Sequence, residues 1–357
     1  MTLLLLLAAL QEGDVDRILL RHGQKLEQAR SADDRRKADV DARAELEDFL
    51  KRHPKHADAP RAAWLRAASW LATGDLDRGL LETRSFLAAH EGHELAASAR
   101  LALAEALLQK EDWAGARAAC ALVLEKKPDE ERALHARLMT AVAWQYEGDV
   151  ERAAALLRAV KTDFPSRPES WGALMQLAVC FHAAERNADA RKVLEEVIGG
   201  CPDRGAVDAA RRHLTAYLKA GTEAPAVAGT DLDVKPRSTA DFDGKPRVLY
   251  FFDSSQPTSA AEAAYLRRLR SDPATSALPL LGVSLDRDRR GAQRLKEEFS
   301  IDWPLLFDGK GYDGPAALAW DVRRLPALWL VDKKGRLRHF NLAGADLRRA
   351  ATKLLQE

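Results

Sequence analysis

Residues 247–262 read RVLYFFDSSQPTSAAE, and this stretch decides the fold of the last third of the chain. Arg247–Asp253 is an unbroken β-branched and aromatic run, the pattern of a strand buried on both faces. It gives way to helix-forming residues over Ala260–Ser271. Outward from there the same alternation continues. Leu278–Asp286 predicts a second buried strand and Arg289–Phe299 a helix. Leu305–Phe307 is short and extended, and Gly314–Trp320 is helical. Ala327–Asp332 and Arg336–Asn341 predict a hairpin around Lys333-Lys334-Gly335, closed by a helix over Asp346–Gln356. Strands alternating with helices imply a central sheet flanked by helices.

Upstream of Gly221 the texture is different. The segment from Gly221 to Asp233 is poor in helix formers and acts as a junction, whereas residues 35–220 show almost no strand signal. There, one step of 37 residues recurs: Pro54, Glu91, Pro128, Pro165 and Pro202 (91−54, 128−91, 165−128, 202−165). The same step links Ala67, Ala104, Ala141 and Ala178; Gly79, Ala116, Ala153 and Ala190; and the bulky Trp70, Leu107, Trp144 and Phe181. The small residues let paired helices approach, Ala141 against Ala153 for instance, with Trp144 filling the space beside them. Gly74-Asp75, Glu111-Asp112, Gly148-Asp149 and Arg186-Asn187 supply turns and caps. The prolines stop each second helix just past its end. This pattern resembles the tetratricopeptide repeat, lengthened by about three residues per unit over its usual period. Four units cover about 60–202, with Val40–Arg52 as the second helix of a partial unit before them and Val207–Lys219 as a closing helix. The resemblance implies an all-α solenoid whose groove takes a protein or peptide partner.

The chain has 357 residues and a net charge of +1, too balanced to drive binding to nucleic acid or an anionic membrane. Only Cys120, Cys180 and Cys201 occur, which is neither a disulfide framework nor a zinc cluster, and no metal or cofactor site is expected. Cys120 and Cys180 read as small buried hydrophobes; Cys201 falls at a turn. His53 and His56, and His90 and His93, sit near helix ends and read as solvated or capping residues, while Arg287–Arg294 reads as a solvated helix entrance. Trp70 and Trp144 are expected in the core. Met1–Gln11 is too short to span a bilayer, which needs roughly 20 apolar residues. It is either a secretory h-region ending at Ala8-Ala9, lacking a basic n-region, or the start of a packed helix. The expected organisation is therefore a signal peptide or N-terminal helix over 1–22, helical repeats over 23–220 and an α/β domain over 221–357. The corresponding location is the periplasm or cell envelope, with the cytoplasm as the alternative.

Residues 221–357 resemble the thioredoxin-like superfamily, in particular exported thiol reductases and the redoxins related to peroxiredoxins. Ala224-Pro225, Gly244-Lys245-Pro246 before the first strand, Gly282–Asp286, and Val322–Pro326 before ALWLVDKKG carry the likeness. The resemblance implies that Pro326 is a cis-proline facing the redox site, opposite an edge that takes extended peptides. In the reductases, two cysteines separated by two residues follow the first strand, with an acidic residue three positions on. Anchoring on Glu262 puts Gln256 and Ser259 at the cysteine positions, with Pro257 and Thr258 between. A peroxiredoxin-style alignment also finds no sulfur near Gln256 or Ser259. Thiol–disulfide exchange needs a thiolate nucleophile and a resolving thiol, and neither serine nor glutamine supplies one. The expectation is a non-catalytic scaffold with a redox-inactive thioredoxin-like domain. The alternatives are an oxidoreductase borrowing a thiol such as Cys201, and a hydrolase using Ser259, for which the domain offers only His339 as a base.

Overall fold

The computed structural model describes residues 14–29, 32–325 and 327–357. Met1–Gln11 and Pro326 lie outside the described residues. Eleven consecutive helices come first: α1 (Asp14–Gln28), α2 (Ala32–Arg52), α3 (Ala59–Ala72), α4 (Leu76–Ala89), α5 (Ala96–Gln109), α6 (Trp113–Glu125), α7 (Glu130–Glu147), α8 (Val150–Asp163), α9 (Glu169–Ala183), α10 (Asn187–Gly200) and α11 (Arg204–Leu218). A mixed sheet with helices follows. The chain divides into two compact units, Met1–Trp144 and Gln145–Glu357.

In the first unit each helix packs on the next, and the small-residue series explains how. Ala62, Ala67, Ala99, Ala104 and Ala116 are completely buried. At Gly79 even a Cβ would lie 2.3 Å from Cδ2 of Leu71, so that position takes nothing larger without a shift. Val15 and Ile18 of α1 pack with Phe49 and Ala62, so the second half of segment 1–22 belongs to a packed helix. The histidine pairs sit on successive helix ends in one arrangement. His53 and His56 flank Phe49 at 5.4 Å, while His90 and His93 flank Phe86 at 5.4 and 6.1 Å. His56 Nδ1 accepts from the Asp58 amide and His93 Nδ1 from the Leu95 amide, so both cap the following turn.

The two tryptophans of the series are not immersed in hydrocarbon, whereas Phe181 is buried. Trp70 is half-buried between the Arg43 and Arg78 guanidiniums, 3.5 and 4.1 Å from its ring, and Arg117 covers Trp144 at 3.7 Å. A ring that shields one helix pair and offers its face to a cation satisfies the same size requirement as a core residue, which is why the spacing did not separate the two.

The helical turns show where the repeat pattern holds and where it slips. Gly74, Glu111, Gly148 and Glu185 all have positive φ, from 60° to 99°, at steps of 37 residues. The next residue caps the following helix in three cases: Asp75, Asp112 and Asp149 accept the amides of Arg78, Gly115 and Arg152. The fourth turn falls at Glu185-Arg186, one residue earlier than the Arg186-Asn187 expectation. Arg186 makes no side-chain cap and instead pairs with Asp189 and Glu151 at 2.8 and 2.6 Å. Glu185 tolerates a conformation that favours glycine because its carboxylate is wanted elsewhere.

The second unit holds α8 to α11 and the sheet. A hairpin of β1 (Ala228–Thr230) and β2 (Pro236–Ser238) precedes β3 (Arg247–Phe252), α12 (Pro257–Ser271), β4 (Leu280–Ser284), α13 (Arg289–Glu298) and β5 (Leu305–Phe307). Then come α14 (Pro315–Ala319), β6 (Ala327–Val331), β7 (Leu337–Phe340) and α15 (Gly344–Gln356). The strand order is β5-β4-β3-β6-β7. β3, β4 and β5 run parallel, β6 antiparallel to β3, and β7 antiparallel to β6. Val248 to Phe252 are essentially without solvent contact, as their unbroken apolar run requires. The β1–β2 hairpin escaped prediction because three-residue strands are too short to show a period of two. The junction is not slack: Gly221 and Ala224 donate to the Leu337 and Gly335 carbonyls and Leu337 donates to Thr222, covering the β7 edge.

Within this unit the last repeats are tied to the sheet by buried polar groups. His182 on α9 stacks on Tyr217 at 3.7 Å, accepts the Phe340 amide at Nε2 (3.0 Å) and meets Asn187 Oδ1 at Nδ1 (2.6 Å). Its Nε2 must therefore stay unprotonated. Glu185 pairs with Arg338 and Lys353 and lies 3.7 Å from His339 Nε2; these partners, His339 first, hold its carboxyl well below the usual range. Burial, aided by His339 and His213, pushes His182 down to about 3, and burial with Arg212 pushes His213 to about 4. Both stay neutral in the fold but protonate when unfolded below about pH 6.5. Their contribution is intact above that pH and drains away as pH falls toward 4. Denaturant unfolding should show stability falling on acidification from pH 7 to 5, and His182→Gln should flatten that slope; an unchanged slope would refute the assignment.

Candidate functional site

The end of β3 is where the sequence reading located the chemistry. Asp253 opens a tight turn, its carboxylate accepting from the Ser255 amide and hydroxyl at 2.9 and 2.7 Å. Asp286, just past β4, fixes the neighbouring residue: it accepts from the Ser254 amide at 3.1 Å, from the Ser254 hydroxyl, and from the Ser284 hydroxyl at 2.6 Å. Gly291 is small for this reason, since a Cβ there would meet Ser254 Oγ at 2.4 Å.

Helix α12 starts at Pro257, three residues before the expected Ala260, because proline is well suited to the first helical position. This brings Gln256 to the N-cap and puts Ser259 in the first turn, its amide donating to the Gln256 carbonyl at 3.0 Å. Pro257 and Thr258 lie between them, and the helix N-terminus presents the positive end of its dipole here. Ser259 has no solvent exposure, and its hydroxyl finds no partner among the described residues. Tyr250, on the buried strand, donates to the Ser259 carbonyl at 2.6 Å. Pro326, the remaining predicted site residue, lies outside the described residues.

Glu262, used above only to anchor the alignment, is the most perturbed carboxyl in this region. Its Oε1 is buried with no hydrogen-bond partner among the described residues, and burial pushes its pKa up to about 7. A carboxyl is protonated in the fold where it would be ionised in the unfolded chain, so the fold loses stability as pH rises from about 4.5 to about 7. Glu262→Gln should raise stability at pH 8 by up to about 3 kcal/mol and leave it unchanged at pH 4. Equal effects at both pH values would show that the carboxyl is solvated.

No sulfur enters this site from the sequence, since the last cysteine is Cys201. Cys120 and Cys180 are buried, and burial pushes their thiols up to about 11 and about 12. Cys201, at the end of α10, is partly exposed. His339, the candidate base for Ser259, is buried on β7 beside His182 and Glu185. Among the described residues no cluster of His, Cys, Asp and Glu could hold a metal ion, and no helix is long and apolar enough to cross a membrane.

Two family models match parts of the chain. Residues 220–340 match the AhpC/TSA family, and residues 83–131 and 138–206 match the tetratricopeptide repeat. No curated protein matches the chain. Among solved structures, the thioredoxin domain of a thiol-disulfide oxidoreductase from Bacteroides vulgatus is 26% identical, over 38% of this chain and 97% of that one, with a TM-score of 0.36. A thiol:disulfide interchange protein from a Bacteroides species is 26% identical over 39% and 91%, with a TM-score of 0.35. A secreted disulfide oxidoreductase from Mycobacterium tuberculosis is 24% identical over 36% and 96%, with a TM-score of 0.32.

Proposed function

For a chain that carries tetratricopeptide repeats in its N-terminal part and an AhpC/TSA thioredoxin-like domain at its C-terminus, we propose a non-catalytic role in binding protein or peptide, with a thioredoxin-like domain that does not exchange thiols. One observation carries this reading: the N-cap and first turn of α12 hold Gln256 and Ser259, and no cysteine follows Cys201. An amide and a buried hydroxyl cannot open a disulfide, because neither yields a thiolate near neutral pH. The repeats support protein binding, since such units commonly present extended contact surfaces. The envelope is the matching location, by likeness to secreted and exported oxidoreductases.

The test is an insulin-reduction and peroxide-consumption assay on the full chain. No turnover above background is expected. Turnover that disappears in Cys201→Ser would replace this reading with that of an enzyme using the partly exposed thiol. Affinity capture on the full chain should retain a protein or peptide partner; a folded chain that retains none would count against the binding role.

A further inference from the structure

A cavity of about 510 Å³ lies between α11, the segment 320–325 and one face of β6 and β7. That volume is in the range of small-molecule sites. None of residues 253–262 lines it. Its apolar wall is aromatic: Trp329 stands 4.6 Å from Phe340 and 5.8 Å from Trp320. The Trp320 indole is 3% exposed, and its N–H has no acceptor among the described residues.

The polar side of the cavity is out of balance. Asp321 is the one acid in the described lining, and it is already engaged by Arg323 at 2.7 Å and Lys219 at 4.0 Å. Arg211, Arg212 and Arg324 also line the space, and no carboxylate stands within 4 Å of any of them among the described residues. Burial disfavours the Arg212 charge first, the cation of Arg324 adds to this, and Asp208 partly offsets it. Two guanidiniums converging on a partly closed aromatic pocket repel one another, and an anion between them removes that repulsion while forming charge-assisted hydrogen bonds.

We propose that this cavity binds a small organic anion, with a flat apolar body against Trp329 and Phe340 and a carboxylate, sulfonate or phosphate between Arg212 and Arg324. The lining joins a repeat helix to a sheet loop, so such a ligand also clamps α11 to the sheet. The site is independent of the redox reading, and its test involves no thiol.

The full chain is titrated with anilinonaphthalenesulfonate, followed by probe fluorescence, and bound probe is displaced with naphthoate, naphthylmethanol or inorganic phosphate. Saturable binding is expected, displaced by naphthoate at least about tenfold better than by the neutral alcohol or by phosphate, because the anion and the ring each contribute. Arg212→Gln/Arg324→Gln should weaken probe binding by about tenfold or more while leaving the thermal midpoint within a few degrees. Arg290→Gln, on a residue 84% exposed, should change nothing. Unsaturable binding, equal displacement by naphthylmethanol or phosphate, or unchanged affinity in the folded double variant would each overturn the assignment.

Discussion

A Gln256→Cys/Ser259→Cys variant will form a disulfide that dithiothreitol opens, and will catalyse insulin reduction above the rate of the natural chain. The expectation rests on backbone placement. The two positions are the N-cap and first turn of α12, one helical turn apart and tied by the Ser259 amide to the Gln256 carbonyl. A thiol at a helix N-cap ionises more readily because the unsatisfied amides and the helix dipole favour its anion. A thiol at 259 replaces a hydroxyl that has no hydrogen-bond partner among the described residues, so nothing polar is lost there. Glu262, held near neutrality by burial, is three residues on and able to trade a proton at physiological pH. Turnover should rise from background to a rate that depends on both new cysteines, with either single variant inactive. A folded double variant whose thiols stay free under oxidising conditions would show that the loop at Asp253–Gln256 no longer has the required geometry.

The second large effect concerns stability. Asp346, at the start of α15, is 2% exposed and accepts from the Gln145 side-chain amide and from Arg349. Arg349 also donates to the Tyr146 and Gln145 carbonyls at 2.9 and 3.2 Å, satisfying the last turn of α7. Removing Arg349 leaves a buried carboxylate with a neutral partner and takes one donor from each of two helix carbonyls, of which Gln145 keeps the Gly148 amide. Loss of one partner from a buried pair costs about 3–5 kcal/mol, and Arg349 is half in water, so about 3 kcal/mol is expected for Arg349→Ala at pH 7.5. Burial already raises the Asp346 pKa, and losing the cation raises it further. The penalty should therefore shrink as pH falls and the carboxyl takes up a proton. Arg349→Ala/Asp346→Asn should recover much of the loss at pH 7.5. A penalty independent of pH and unrelieved by Asp346→Asn would mean that Arg349 acts through packing alone.

How far the site was legible depends on the kind of signal. Gln256 and Ser259 were singled out by an aligned motif; the structure has them at the N-cap and in the first turn of α12. The state of Glu262 was not legible, because a burial-shifted carboxyl looks the same in sequence as a solvated one. The cavity beside α11 was invisible for a related reason: its lining joins segments about 100 residues apart, and no local pattern says that they meet. Glu185 misled the turn assignment. Periodicity places glycine-like residues, but a charge wanted by Arg338 and Lys353 overrode the local preference.

The sequence by itself determined the two architectures and the absence of sulfur from the α/β domain. Both follow from local rules, the 37-residue recurrence of small residues and the unbroken apolar strand at 247–252. Only the tertiary structure decided the state of the residues at the start of α12: Ser259 is sealed with its hydroxyl unpartnered among the described residues, and burial pushes the Glu262 carboxyl up to about 7. It also decided that the last repeats share a compact unit with the sheet, through His182, Glu185 and Arg349. Desolvation and long-range pairing set these outcomes, and both depend on which distant residues close over a group rather than on its neighbours in the chain.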